Sequence, residues 1–345
     1  MSQDLSKPQT ALSVRQTWID QARWCAIVLV VVGHAVGLLR GTSDLAVVIS
    51  NFVYMFHIPV LVLLAGWGAR RTNADGNTLA KIFWQLLLPY VIFQLIAFLF
   101  NFLFEDDSPS WSFTSQTFGL WFLVALAGWR LLAPWFHGLK YAVPLAVLVA
   151  LLAGLSPNIG GFLSLSRILV FLPMFLAGPW LIDKIAVWRH DLRYKLAAAA
   201  VLLVGASATL LMRRDFWRTP FFGNAGYEAL NVDPVEGMLW RLLVLTVGTA
   251  MAAAFMLVLP GKPGAPSPIG AWVANAGQRT MYAYLLHLPV ITVIGSTAAT
   301  DIFAPSAQTA LYVAGAFVFC ILAVSRLVTT LATPLVEPRR ILLQR

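Results

Sequence analysis

Arg23 and His34 stand eleven residues apart, separated by an apolar run from Cys25 to Gly33. Eleven helical steps close almost three turns and advance about 16 Å, so the two side chains share a face at different depths. A guanidinium at the edge of such a run keeps its proton and offers a planar fork of donors that matches a phosphate. A neutral imidazole deeper in can take a proton from a hydroxyl, because its ordinary pKa lies near neutrality. Two more histidines share a local pattern, Phe56-His57-Ile58-Pro59 and Leu286-His287-Leu288-Pro289. Proline removes a helical hydrogen bond and kinks the helix, a break tolerated inside a membrane where it lines protein or a cavity. His57 and His287 are therefore cavity-lining candidates. A single intramembrane histidine is equally well an interhelical hydrogen bonder. Three of them, with Arg130, Arg167 and Arg326 in or near apolar runs, favour chemistry over packing. Snorkelling is the simpler reading of each of those three arginines.

The elements that must position these groups are membrane helices. The chain of 345 residues is 59% hydrophobic and 11% charged, with mean hydropathy +0.77. Apolar runs recur along its whole length, and runs such as Ile27 to Val32 do not alternate as the strands of a lipid barrel do. The pattern predicts an all-α, polytopic transmembrane bundle of ten spans, at about 22–39, 47–68, 79–104, 118–135, 139–155, 164–182, 194–212, 238–259, 277–298 and 308–335. It is read as a single integral membrane domain over 1–345, with a short polar tail 1–18, no cleavable signal peptide and no fused soluble domain. Fifteen Lys and Arg group on the side of the two termini, and four, Arg40, Arg213, Arg214 and Arg218, on the other. The positive-inside rule then places both termini in the cytoplasm. The net charge of +9 reflects those basic loops and not a nucleic-acid partner. Cys25 and Cys320 lie in apolar runs and offer neither a disulfide framework nor a metal site.

No Asp or Glu falls at the centre of a predicted span, which argues against a proton-relay transporter. Any acidic partner for His34 must come from a loop, with Glu105, Asp106 and Asp107 available. The outer loop 213–237 carries Trp217, Phe221, Phe222, Tyr227 and Asn231 among polar groups, a mixture suited to a sugar-like ligand or to a head-group interface. Glu105, Asp106, Trp217 and Tyr227 are the acceptor-loop candidates.

These residues resemble, in order and over nearly the whole chain, the acyltransferase 3 family of integral membrane acyltransferases, especially its fucose 4-O-acetylase-like branch. Asp20, Arg23 and His34 are similar to that family's D-x-x-R and R-x(10)-H pattern. Phe56-His57-Ile58-Pro59 through Gly66 resembles its F-H-x-P…G stretch, Leu120-Trp121-Phe122-Leu123 its fourth span, and Arg167 to Gly178 its R…F-F-x-x-G segment. Tyr282-Ala283-Tyr284-Leu285-Leu286-His287 resembles its late Y-x-Y-L-x-H. One departure is Ala65-Gly66-Trp67, where many relatives carry Ser-Gly-Tyr or Ser-Gly-Phe.

The resemblance implies O-acylation, with cytoplasmic acetyl-CoA or another acyl-CoA as donor substrate and no tightly bound cofactor or metal. The acceptor it implies is a hydroxyl of an extracytoplasmic glycan or glycolipid, and the location is the bacterial inner membrane. His34 takes the role of base and Arg23 that of donor positioning, with Asp20, His57, Trp121, Arg167 and His287 lining the site. A multi-span carrier or flippase for a lipid-linked or small substrate is the competing expectation, and a scaffold without chemistry is a third.

Overall fold

The computed structural model describes residues 17–71, 75–104, 112–117, 119–136, 138–157, 159–260, 267–297 and 303–342. They form helices α1 (Thr17–Gly37), α2 (Asp44–Tyr54), α3 (His57–Ala69), α4 (Gly76–Ile82), α5 (Leu88–Phe104), α6 (Trp121–Phe136), α7 (Ala142–Leu152), α8 (Leu165–Trp188), α9 (Leu192–Met212), α10 (Pro234–Val258), α11 (Pro268–Gly277), α12 (Thr280–Ser296), α13 (Pro305–Ala323), α14 (Arg326–Val336) and α15 (Arg339–Leu342). A π-helical turn, Phe83–Leu87, joins α4 to α5. The described residues contain no strand beyond an isolated bridge between Ser115 and Phe162.

The helices begin where the sequence supplies an oxygen for the amides of a first turn. Ser43, Asp75, Asp191, Asp233, Ser267 and Ser325 each accept from a backbone N–H two or three residues on. Pro234 and Pro268 follow two of these caps at the first helical position, where no amide hydrogen is needed.

The central helix is α1. Val28, Val30, Val31, Val32 and Val36 bury nearly all their surface as it packs against α2, α3, α11, α12 and α13. A helix apolar on all sides belongs in an interior. At the periphery the pattern inverts: Leu203, Val204 and Leu211 of α9 are 67%, 70% and 82% exposed. Leucine and valine exposed in such numbers suit lipid tails and not water. Among the described residues seven helical stretches are long and apolar enough to cross a membrane: Thr17–Gly37, Asp44–Ala69, Gly76–Phe104, Leu165–Trp188, Leu192–Asp215, Pro234–Val258 and Pro305–Ala323. Four shorter apolar helices accompany them, Trp121–Phe136, Ala142–Leu155, Thr280–Ser296 and Arg326–Val336.

Toward the C-terminus the sequence pattern and the structure differ at two spans. The expected span 308–335 is two helices, because the chain turns at Val324 and Ser325 starts α14 by accepting from the Val328 N–H at 3.4 Å. The expected span 277–298 follows a separate helix, α11, whose Gly277 meets the backbone of Asp20 so closely that a Cβ would fall on its carbonyl. Glycine does the same where α3 crosses α8. A Cβ on Gly66 would meet the Phe175 carbonyl, and one on Gly178 the Leu63 carbonyl. Small residues at a crossing let membrane helices approach to backbone contact, where dispersion is strongest.

Side-chain contacts sort the loops onto two ends of the bundle. At one end Arg214 bonds Asp44 and the Arg40 carbonyl, Tyr227 bonds the Leu151 carbonyl, and Ser164 bonds Gln116. At the other, Gln21 bonds the Gly270 carbonyl, and Arg189 lies over Trp18 and bonds the Pro260 carbonyl.

Candidate active site

Three histidines converge near the first of these ends. His34 lies in the last turn of α1 and His287 in the middle of α12, both buried, with His34 Nδ1 2.9 Å from His287 Nε2. Their ring centroids are 5.1 Å apart. The buried His57 opens α3, immediately after the break that separates it from α2. Pro59 has no amide hydrogen for the Met55 carbonyl, which is why the helix cannot run through. His57 Nδ1 donates to the Val53 carbonyl at 2.7 Å. The Tyr54 ring lies between these groups, its centroid 4.8 Å from that of His57 and 6.3 Å from that of His34.

Proton positions follow from the carbonyls, which only accept. His57 carries hydrogen on Nδ1, so its Nε2 holds the lone pair when the ring is neutral. His287 turns Nδ1 toward the carbonyls of Ala283 and Tyr284 in its own helix, without closing a well-formed hydrogen bond. That favours hydrogen on Nδ1 and a lone pair on Nε2, facing His34. His34 then donates through Nδ1, which puts its lone pair on Nε2. A hydrogen bond at one ring nitrogen sets the tautomer and orientation of an imidazole in this way.

A ring of aromatic and cationic groups surrounds this cluster. Arg167, in the first turn of α8, lies 4.5 Å above the Trp121 ring and donates from Nε to the Phe222 carbonyl at 3.1 Å. Tyr284 donates its hydroxyl to the Gly119 carbonyl. Gly119 has φ +86°, a left-handed backbone that glycine adopts without strain, and a Cβ there would strike the Leu288 side chain. Arg218, from the turn that precedes Phe222, lies 5.4 Å from the Tyr54 ring and 5.2 Å from the Phe222 ring. Arg218 and Arg40 both donate to the Ser50 hydroxyl, at 2.9 and 3.0 Å, and Arg40 also reaches Asn51 Oδ1 at 2.9 Å. Burial pulls the pKa of Arg40 down to about 10, with repulsion from Arg218 adding to it, and burial lowers that of Arg218 too. Both stay cationic at neutral pH.

At the other end of α1, Arg23 donates to Asp20 Oδ1 at 3.0 Å. The Asp20 side chain is 5% exposed and that of Arg23 34%, so the pair sits at the rim of the bundle with its cation toward solvent. Arg130 of α6 lies within electrostatic reach of Arg23 and makes this rim doubly cationic. Among the described residues no group of three or more His, Cys, Asp or Glu is arranged to hold a metal.

The structure thus brings together His34, His57, His287, Trp121 and Arg167 at one end, and places Asp20 and Arg23 at the other. The acceptor-loop candidates fare differently. Glu105, Asp106 and Asp107 lie outside the described residues. Trp217 packs edge-on against Trp240, centroids 4.8 Å apart. Tyr227 is buried, its ring wedged where Cβ atoms on Gly154 and Gly237 would be, and its hydroxyl donates to the Leu151 carbonyl at 2.7 Å. Arg241 lies 4.8 Å from that ring and donates to the carbonyls of Ala150 and Ala225. Tyr227 therefore anchors the loop from within.

Sequence reasoning did not single out Tyr54, Arg40, Arg218 or Tyr284 as site residues. Arg40 and Arg218 did carry a signal, as two of only four basic residues in the sparsely charged loops.

A family profile described as an acyltransferase domain matches residues 16–325. The chain belongs to the acyltransferase 3 family. The match runs from the residue before α1 to the cap of α14 and so contains all three histidines, Arg23 and Arg167. As a member of that family, with its long apolar helices, the protein is a membrane acyltransferase. No curated protein and no solved structure matches the chain.

Proposed function

We propose that this acyltransferase moves an acetyl group from cytoplasmic acetyl-CoA to a hydroxyl of a glycan or glycolipid on the far side of the bacterial inner membrane. The observation that carries the reading is the His34–His287 contact of 2.9 Å, buried on the same helix that carries Arg23 at its other end. One helix thus offers a phosphate-binding cation at one face and a basic nitrogen about 16 Å deeper. That division suits a donor that threads inward and an acceptor that enters from the opposite side. The loop chemistry supports the orientation, since the Arg23 end holds the more basic loops. Seven long helices with Trp121–Phe136, Ala142–Leu155 and Thr280–Ser296 make ten crossings and return both termini to the cytoplasm. Helix α14 is left over; its eleven residues extend only about 16 Å, less than each of those three. The motif order favours the fucose 4-O-acetylase-like branch.

In the proposed reaction His34 Nε2 takes the acceptor's hydroxyl proton as that oxygen attacks the thioester carbonyl. The carbon–sulfur bond then breaks, and the departing thiolate takes the proton back from the imidazolium. His287 accepts from His34 Nδ1 throughout, so the positive charge forms next to a fixed acceptor. Arg23, seconded by Arg130, holds the donor's phosphates. Trp121 and Arg167 stack beside the histidine cluster, and His57 packs against Tyr54.

Membranes given labelled acetyl-CoA test this. Wild type transfers label to a glycan or lipid fraction, and Arg23→Ala raises the donor concentration needed for half-maximal transfer. Transport of a lipid-linked or small solute with no acylated product replaces this reading with the carrier.

A further inference from the structure

Three guanidiniums from distant parts of the chain, Arg40, Arg167 and Arg218, surround the Tyr54 and Phe222 rings beside His34. Among the described residues their hydrogen-bond partners are neutral. Arg40 bonds the Val47 carbonyl, Ser50 and Asn51; Arg218 bonds Ser50; Arg167 bonds the Phe222 carbonyl. Asp44, an acid at the same end of the bundle, is held by Arg214 at 2.8 Å. Part-buried cations brought together on neutral partners repel one another and lose hydration, a cost that a bound anion removes. Each guanidinium carries five N–H donors, and the bonds to neutral groups leave some of each unused.

From this juxtaposition we infer that the acyl acceptor is anionic, carrying a phosphate or a carboxylate that Arg218 and Arg40 bind while its hydroxyl meets His34. The inference deepens the acyltransferase reading and rests on it. The geometry assigns the anion to the acceptor and not to the donor. Tyr54 stands between the cations and the base, with its ring 5.4 Å from the Arg218 Cζ and 6.3 Å from the centroid of the His34 ring. The donor's phosphates belong at the far end of α1, beside Arg23.

The test separates binding from transfer. The purified protein in phosphatidylcholine nanodiscs is heated with methyl glucoside, glucose 6-phosphate, glucuronate or inorganic phosphate, and the midpoint of unfolding is followed. Glucose 6-phosphate or glucuronate raises the midpoint and methyl glucoside does not. Which of the two acts tells whether the acceptor's anion is a phosphate or a carboxylate. Arg218→Gln weakens that effect about tenfold or more in apparent affinity, the worth of one charge-assisted bond. Arg218→Lys retains part of it, and Arg193→Gln, which removes an equal charge on an exposed site, leaves it whole. Equal midpoints with and without every sugar anion overturn the inference. So does stabilisation by inorganic phosphate alone, or by phosphatidylglycerol in the disc when the sugar anions have no effect, the latter marking a lipid-headgroup site. Sugar-anion binding with no acyl transfer instead removes the acyltransfer reading and leaves the anion site standing.

Discussion

Replacing His287 by Phe removes the acceptor for His34 Nδ1 while filling most of the same volume. The contact is 2.9 Å long and both rings are buried, so no bulk water takes the lost partner's place. In the resting enzyme this is a neutral hydrogen bond, worth about 1 kcal/mol. When His34 becomes cationic in the transition state it turns into a charge-assisted bond, worth about 1.5–3 kcal/mol. The difference, roughly 0.5–2 kcal/mol, lowers turnover about 2- to 30-fold. Loss of tautomer control adds to it, because the acceptor that directs the His34 proton to Nδ1 is gone. Turnover in His287→Phe should therefore fall about 10- to 100-fold, with half-saturation for acetyl-CoA unchanged. His287→Gln places an amide oxygen where the imidazole nitrogen was and should retain more turnover than His287→Phe. The assay is labelled acetyl transfer from membranes adjusted to equal protein, over a series of acetyl-CoA concentrations. Full turnover in His287→Phe, or equal losses in the Phe and Gln variants, would refute the tautomer argument.

Other consequences follow from the packing and the rim. Gly66→Ala should lower the unfolding midpoint in detergent, because its Cβ meets the Phe175 carbonyl and overpacking costs about 1–3 kcal/mol; an unchanged midpoint would mean that α3 and α8 are not in backbone contact. Tyr227→Phe loses the bond to the Leu151 carbonyl and should cost about 1 kcal/mol of stability with turnover intact. A selective loss of acceptor saturation in that variant would return Tyr227 to the acceptor site. Arg23→Lys keeps the charge but loses the bidentate fork, so donor half-saturation should rise less than in Arg23→Ala, and a larger rise in the lysine variant would count against phosphate binding.

What the sequence disclosed depended on how local the cause was. The helical bundle, the shared helix of Arg23 and His34, and the break ahead of Pro59 are written in periodicity and in proline's missing donor. Helix α1 starts at Thr17, five residues before the expected span 22–39, and its Asp20 bonds Arg23 one turn on. The turn at Ser325 was hidden by an apolar run that continues on both sides of it. Tyr54, Arg218 and Phe222 could not be assembled from spacing. Tyr54 ends α2, and the loop bearing the other two is more than 160 residues later in the chain, so only the folded loop shows that they meet. The same holds for His34 and His287, 253 residues apart. Each was legible as a buried histidine, and their contact was not.

The most direct measurement is transfer of labelled acetyl from acetyl-CoA in membranes holding wild type or His34→Ala at matched protein level. The account predicts label in a glycan or lipid fraction with wild type and none above background with the variant. Equal labelling by the two would contradict it and leave His34 a packing residue.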